Sequence, residues 1–175
     1  MQKELLKKLN QIIDKSAQIN NESADEFAVS DFETKYEIRI PNDFKDFILN
    51  FHEFYFKDDY AVKLSECSRY TPDDGYEHID YLYSAKFIEN AETYFRDGKK
   101  DFLPIGESTG DILLIGIGKD NYGKIFIEYH ECADNEKRIF LVSNSFLNFI
   151  KSVEQHKKIC KVNLDEIEVE LADDL

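Results

Sequence analysis

The sequence predicts a single α+β domain with an antiparallel meander at its centre. Three observations carry this. Five of the seven glycines fall within 102–130, at Gly106, Gly110, Gly116, Gly118 and Gly123, and they cut that stretch into apolar runs at 102–105, 112–117 and 124–130. Several separate segments place apolar residues at helical spacing. At 175 residues, with 42% hydrophobic and 14% aromatic side chains, the chain is long and apolar enough for one core.

The middle run of the meander is almost wholly apolar, as a centrally buried strand is. The last run alternates, with Ile125, Ile127 and Tyr129 on one face and Lys124, Glu128 and His130 on the other. Gaps of a few residues bounded by glycine suit hairpin turns, which need positive φ.

Taken in order, residues 3–19 place Leu5, Leu6, Leu9, Ile12 and Ile13 on one helical face. Ser30 and Glu33 have the spacing of a capping box, which predicts a second helix over 31–37 carrying Phe32 and Tyr36. Pro41 breaks this and opens a third helix, whose Phe44, Phe47, Ile48 and Phe51 follow the i, i+3, i+4, i+7 rule. From 54 to 87 come nine aromatics, six of them tyrosines, among many acids. Tyr60, Val62 and Leu64 alternate as in a strand, residues 72–75 (Pro-Asp-Asp-Gly) signal a turn, and 76–83 fits either strand or helix. A helix follows over 85–96 with Gly98 as its stop, then the meander, then a strand over 138–142. Ser143 or Asn144 caps a last helix carrying Phe146, Phe149, Ile150 and Val153. Residues 164–175 hold six acids and no base, and Ile167, Val169 and Leu171 alternate with glutamates as an edge strand would. The expected division is an N-terminal helix and loop over 1–29, a core over 30–152, and the end of the last helix with the acidic segment over 153–175.

With 22 basic and 36 acidic side chains the net charge is −14, which argues against direct contact with nucleic acid or an anionic membrane. A basic protein is the natural complement. Cys67, Cys132 and Cys160 lie far apart with no CxxC pair, so free thiols in a reducing compartment are expected, and no apolar run approaches a membrane span. The expected location is the cytoplasm.

No motif argues for catalysis or a cofactor. Gly118-x-x-x-x-Gly123-Lys124 imitates a phosphate-binding loop, but Ile125 stands where Ser or Thr would hold magnesium, and a strand follows instead of a helix. His130-Glu131-Cys132 offers metal ligands that point to alternate faces of a strand and lack a second pair. Asp73, Asp74, Glu77 and Asp80 form the densest carboxylate cluster, without the D-x-D-x-D-G order of a calcium loop.

Four stretches resemble the SUKH superfamily, whose fold is shared by bacterial toxin-immunity proteins and fungal cell-wall-synthesis regulators. They are Phe32-Glu33-x-x-Tyr36 leading into Ile40-Pro41-Asn42-Asp43-Phe44-Lys45-Asp46-Phe47-Ile48; Phe102-Leu103-Pro104-Ile105-Gly106 with Gly110-Asp111; Gly123-Lys124-Ile125-Phe126-Ile127 through Tyr129-His130-Glu131; and Ser143-x-Ser145-Phe146-x-x-Phe149-Ile150. The chain departs from the family where Asn50 is followed by Phe51, His52 and Glu53 in place of Asn-Gly-Gly. The resemblance implies a mainly antiparallel sheet with helices packed against it. It also implies a non-catalytic binding protein, commonly one that neutralises a toxin domain such as a nuclease. The expected partner is therefore a basic toxin domain met by a monomer or weak dimer, with an endogenous partner of a scaffold or regulator as the alternative and a carboxylate- or metal-dependent hydrolase as a third reading. Tyrosine gives large contact area with few rotors, so the expected contact surface is residues 55–83, especially Asp58, Asp59, Tyr60, Tyr70, Asp73, Asp74, Tyr76, Glu77 and Asp80.

Overall fold

A computed structural model describes residues 3–14, 23–51, 54–84, 86–96, 98–133 and 135–156. Helices α1 (Lys3–Ile12), α2 (Glu26–Tyr36) and α3 (Asn42–Asn50) come first. Strands β1 (Phe54–Tyr55), β2 (Tyr60–Lys63), β3 (Tyr76–His78) and β4 (Tyr81–Leu82) lead to α4 (Phe87–Arg96). Then follow β5 (Phe102–Ser108), β6 (Asp111–Gly116), β7 (Ile125–Glu128), β8 (Ile139–Ser143), α5 (Phe146–Ser152) and β9 (Glu154–Gln155). The main sheet has the order β1-β4-β5-β6-β7-β8 and a smaller one the order β3-β2-β9, with every pairing antiparallel. The α+β class and the central meander are as the sequence predicts.

Period-two alternation gives the main sheet its apolar face. Leu103 and Ile105 of β5, Leu113 and Ile115 of β6, Ile125 and Ile127 of β7, and Phe140 and Val142 of β8 are buried in one core. The helices answer with aromatic rings. Phe44 meets Phe146 at 5.2 Å between centroids and Phe87 at 5.4 Å, while Phe47 meets Phe146 at 5.2 Å. Val62 and Leu64, from β2 and just beyond it, join the same core, so the small sheet shares it.

Several boundaries differ from the sequence reading, each for a local reason. The first helix ends at Ile12 because Ile13 bridges Phe56 and the Asp14 N–H donates to the Tyr55 carbonyl at 2.8 Å. Residues 15–22 lie outside the described residues. The second helix starts at Glu26, capped by Asp25, whose carboxylate accepts from the Ala28 N–H. Ser30 and Glu33 therefore form no capping box. Glu33 instead accepts from the Ile40 N–H at 2.8 Å and from Lys45 Nζ at 2.6 Å, which ties the chain between α2 and α3. Ser145, not Ser143 or Asn144, caps α5 by accepting from the Asn148 N–H at 3.1 Å.

Gly106 is no turn. It sits inside β5 at a register shift, and a Cβ there would lie 2.3 Å from the Tyr81 carbonyl oxygen of the neighbouring strand, a distance no side chain tolerates. The turn comes later, at Thr109 and Gly110, both with positive φ. The ambiguous 76–83 stretch resolves into β3 and β4, one for each sheet. Residues 164–175, where the alternation suggests an edge strand, lie outside the described residues.

Candidate partner-binding surface

The turn from Lys57 to Tyr60, closed by the Tyr60 N–H on the Lys57 carbonyl at 3.0 Å, sets Asp58 at an exposed tip. Backbone bonds fasten this turn on two sides. The Lys57 N–H donates to the Ile12 carbonyl at the end of α1, and the Phe56 N–H donates to the Asp80 carbonyl, both at 3.0 Å. Asp80 is held across the strand gap by its own N–H on the Glu107 carbonyl at 3.0 Å, and its carboxylate accepts from the Thr109 N–H at 2.7 Å.

These ties shape a cleft of about 380 Å³ lined by Asp14, Tyr55, Lys57, Asp58, Tyr60, His78 and Asp80 among others. Three aspartates, two tyrosines and a histidine thus line one hollow. The wall's cation is drawn to one side: Lys57 Nζ donates to the Gln11 carbonyl at 2.6 Å and lies 5.6 Å from the Tyr60 ring centroid. The buried Nε2 of His78 has no hydrogen-bond partner among the described residues. Carboxylates beside aromatic faces suit a Lys or Arg side chain, which pairs with the first and stacks on the second.

A neighbouring group lies on the small sheet. β2 pairs Lys63 with Tyr76 on one side and Tyr60 with Gln155 on the other. Asp59, half-buried, accepts from Gln155 Nε2 at 2.5 Å, and its carbonyl accepts from the His156 N–H at 2.7 Å. Asp74 accepts from the Tyr76 N–H at 3.0 Å and sits 3.6 Å from His156 Nε2. The Tyr76 ring stacks on His156 at 4.0 Å, and its hydroxyl donates to Glu154 at 2.7 Å, which raises the phenol's pKa. Asp73 is exposed in the turn that Gly75 closes at positive φ.

Two expected contact residues stand apart from these groups. Tyr70, between β2 and β3, donates to Glu136 at 2.6 Å beside the Arg69–Glu136 ion pair, which ties it to the β7–β8 connection. Glu77 is 6% exposed, and the structure removes it from the surface set. The period-two pleat turns it inward between its neighbours Tyr76 and His78, where Ser108 Oγ lies 2.9 Å and the Tyr129 hydroxyl 3.3 Å from its carboxylate. Burial pushes the Tyr129 phenol up to about 12, with the nearby Glu77 charge adding to it. Conversely, Asp14 lines the cleft from outside the expected stretch 55–83, and Tyr55 and His78 line it from within that stretch without being among the residues singled out. Tyr55 and His78 lie in the aromatic-acidic stretch that singled out their neighbours. Nothing around Asp14 marks it, because the helix end that delivers it is set by contacts with 55–57.

The phosphate-loop and His130-Glu131-Cys132 metal readings find no geometry among the described residues. Gly118 to Gly123 forms turns between β6 and β7, and Lys124 Nζ donates to the Asp120 carbonyl at 2.9 Å. His130 Nδ1 is 2.6 Å from Asp111, while Cys132 is buried with Sγ 3.6 Å from the Lys137 carbonyl, so the two diverge. Among the described residues no three His, Cys, Asp or Glu side chains could hold a metal ion, and no helix is long and apolar enough to cross a membrane.

No curated protein matches the sequence. Residues 23–152 match the SMI1 / KNR4 family (SUKH-1), a span that runs from just before the Asp25 cap of α2 to the end of α5. With that match across most of its length, and with the meander and aromatic helices on which the resemblance rests, the chain belongs to the SMI1 / KNR4 family of the SUKH superfamily.

Proposed function

We propose that this protein acts in the cytoplasm as an immunity protein, neutralising a basic toxin domain of the nuclease kind by stoichiometric contact and without catalysis. The observation that carries the reading is the cleft lined by Asp14, Asp58 and Asp80 with Tyr55, Tyr60 and His78. A nuclease must present cations where it meets phosphates, and a hollow of carboxylates and phenols complements such a surface. The family, generally non-catalytic, and the net charge of −14 support the same reading. Asp59, Asp73, Asp74 and Tyr76 extend the anionic surface over the small sheet, while Tyr70 forms a separate contact point and Glu77 supports the surface from beneath.

Co-expression with the product of the adjacent gene, scored by rescue of growth and by co-purification, tests the function. Asp58→Asn with Asp80→Asn tests the surface. Each carboxylate is exposed, so the pair is expected to weaken binding about tenfold, mainly through a slower on-rate, and to flatten the dependence of affinity on salt. Rescue that is indifferent to both the double variant and ionic strength overturns the surface. Failure of any neighbouring toxin to be neutralised overturns the function.

A further inference from the structure

An antiparallel sheet with one face on the core ordinarily turns polar side chains outward on the other. The main sheet does not. In register, Pro104, Leu114, Phe126 and Leu141 form an apolar row on its outer face across β5 to β8. Leu114 is fully buried yet lies outside the core cluster, so it belongs to a second apolar layer on this outer side. The Phe102 ring meets Phe126 edge-on at 5.3 Å, and Phe102, Phe126, Ile139 and Leu141 keep part of their surface in solvent. A contiguous apolar patch rimmed by charges marks a contact surface.

At its rim the charge balance of the chain reverses. A hollow of about 420 Å³ that takes in Phe102 and Ile139 is lined by four basic residues, Lys99, Lys100, Lys137 and Arg138, against three acids. Lys99 answers the buried Glu128 at 2.5 Å, and Lys137 pairs with Glu66. Among the described residues, exposed Lys100 and Asp101 have no ion-pair partner. Adjacent and opposite in sign, they complement themselves across a two-fold axis, with Lys100 of one copy facing Asp101 of the other. Two chains of net charge −14 repel over most of their surface, and a face without net negative charge is where they can touch.

We propose that the outer face of β5 to β8 is a self-association surface, on which a second copy of this chain packs about a two-fold axis with Phe102, Phe126 and Ile139 at the centre of the contact. Four strands about 4.8 Å apart and about five residues of about 3.4 Å each outline a face of roughly 19 by 17 Å. That is well below the ~800 Å² per partner of a standard interface, so the dimer is a weak one. The acidic cleft lies at the β1 end of the same sheet, four strand positions from β7 and so about 19 Å away. Each copy therefore keeps its cleft open, and the pairing stands or falls without any toxin.

Sedimentation equilibrium of the full chain from about 5 to about 500 µM tests this, a range that suits the dissociation constant of so small an interface. The mean mass is expected to climb from one chain towards two. It is expected to climb further at about 0.5 M salt, where a Debye length of about 4 Å screens the repulsion between the anionic copies. A one-chain mass at every concentration overturns the proposal, as does association that salt dissolves, or growth past two chains, the mark of a head-to-tail contact. Phe126→Glu is expected to weaken pairing about tenfold and Lys100→Glu, at an exposed site, about threefold. Phe27→Ser, at an 81% exposed side chain on α2, is expected to leave it unchanged. Loss of pairing in Phe27→Ser alone moves the interface to another face and overturns the assignment. In the wild type, amide resonances of residues 100–102, 126 and 139–141 are expected to shift on dilution, and shifts confined to other residues overturn it independently of any variant.

Discussion

Tyr129 and Tyr83 each hold a phenol against a carboxylate, at 3.3 Å from Glu77 and 2.6 Å from Glu107. Ionising either would set a second anion in a site that water reaches poorly, so burial first, and the neighbouring charge with it, raises both phenols. A phenol whose folded pKa exceeds its unfolded value contributes stability that is complete below pH 10. That stability is lost as pH rises from 10 through about 12 for Tyr129. Thermal melts of the wild type and of Tyr129→Phe between pH 9 and pH 12 measure this. The wild type is expected to lose stability more steeply, and parallel curves would remove Tyr129 as the cause. At this scale the sequence is half legible. The alternation of Ile125, Ile127 and Tyr129 puts Tyr129 inside, whereas nothing local distinguishes buried Glu77 from exposed Asp73 and Asp80. Its burial depends on Ser108 and Tyr129, 31 and 52 residues away.

The segment after β2 covers the outer edge of β8, where an open strand would invite pairing with another chain. The Glu66 N–H donates to the Leu141 carbonyl at 3.0 Å, the Glu66 carboxylate accepts from the Leu141 N–H at 3.1 Å, and Ser65 Oγ donates to the Val142 carbonyl at 2.7 Å. Lys137, paired with Glu66, and then the Leu141 N–H hold the Glu66 carboxyl below the usual carboxylate range. Tyr70 does the same for Glu136. A carboxylate depressed on folding contributes stability above its unfolded value of about 4.5, lost as pH falls through the lower folded value. Hydrogen exchange at the Leu141 amide, corrected for intrinsic rate, is therefore expected to quicken as pH falls below 4.5 while β6 amides stay protected. Glu66→Gln is expected to abolish that acid step, and an unchanged acid profile in the variant would refute the role of Glu66. Elements were legible in proportion to their length. Helices with several apolar positions and the long strands of the meander stand out, because periodicity accumulates over a window. β1, β4 and β9 have two residues each and β3 three, too few for any period, and they exist because a neighbouring strand offers partners. The caps, Asp25 for α2 and Ser145 for α5, differ from those the sequence predicts for a related reason: several polar residues near a helix start can cap it, and tertiary ties choose among them.

Across the whole molecule, one core joins elements from both ends of the described chain. It includes Leu5, Leu9 and Ile12 of α1, Val62 near the small sheet's centre, the inward rows of the main sheet, and Phe146, Phe149, Ile150 and Val153 at the far end. The family match begins at residue 23, so α1 lies outside it, yet Leu9 is 1% exposed and Ile12 fully buried. If α1 were an appendage laid on a finished domain, weakening it would produce a separate early transition and leave the main one in place. Shared burial with α5 argues otherwise, because removing a side chain there opens a cavity in the common core. α1 also fixes the cleft, since its end receives the Lys57 N–H and delivers Asp14. Leu9→Ala is accordingly expected to cost about 2–5 kcal/mol of global stability in denaturant melts, in a single transition seen alike by far-UV and tyrosine near-UV signals. The same variant should weaken partner binding by loosening the 57–60 turn, even though Leu9 touches no partner. A melt that splits into two steps, with the later one unchanged from wild type, would separate α1 from the fold and leave the cleft to be shaped by the family core alone.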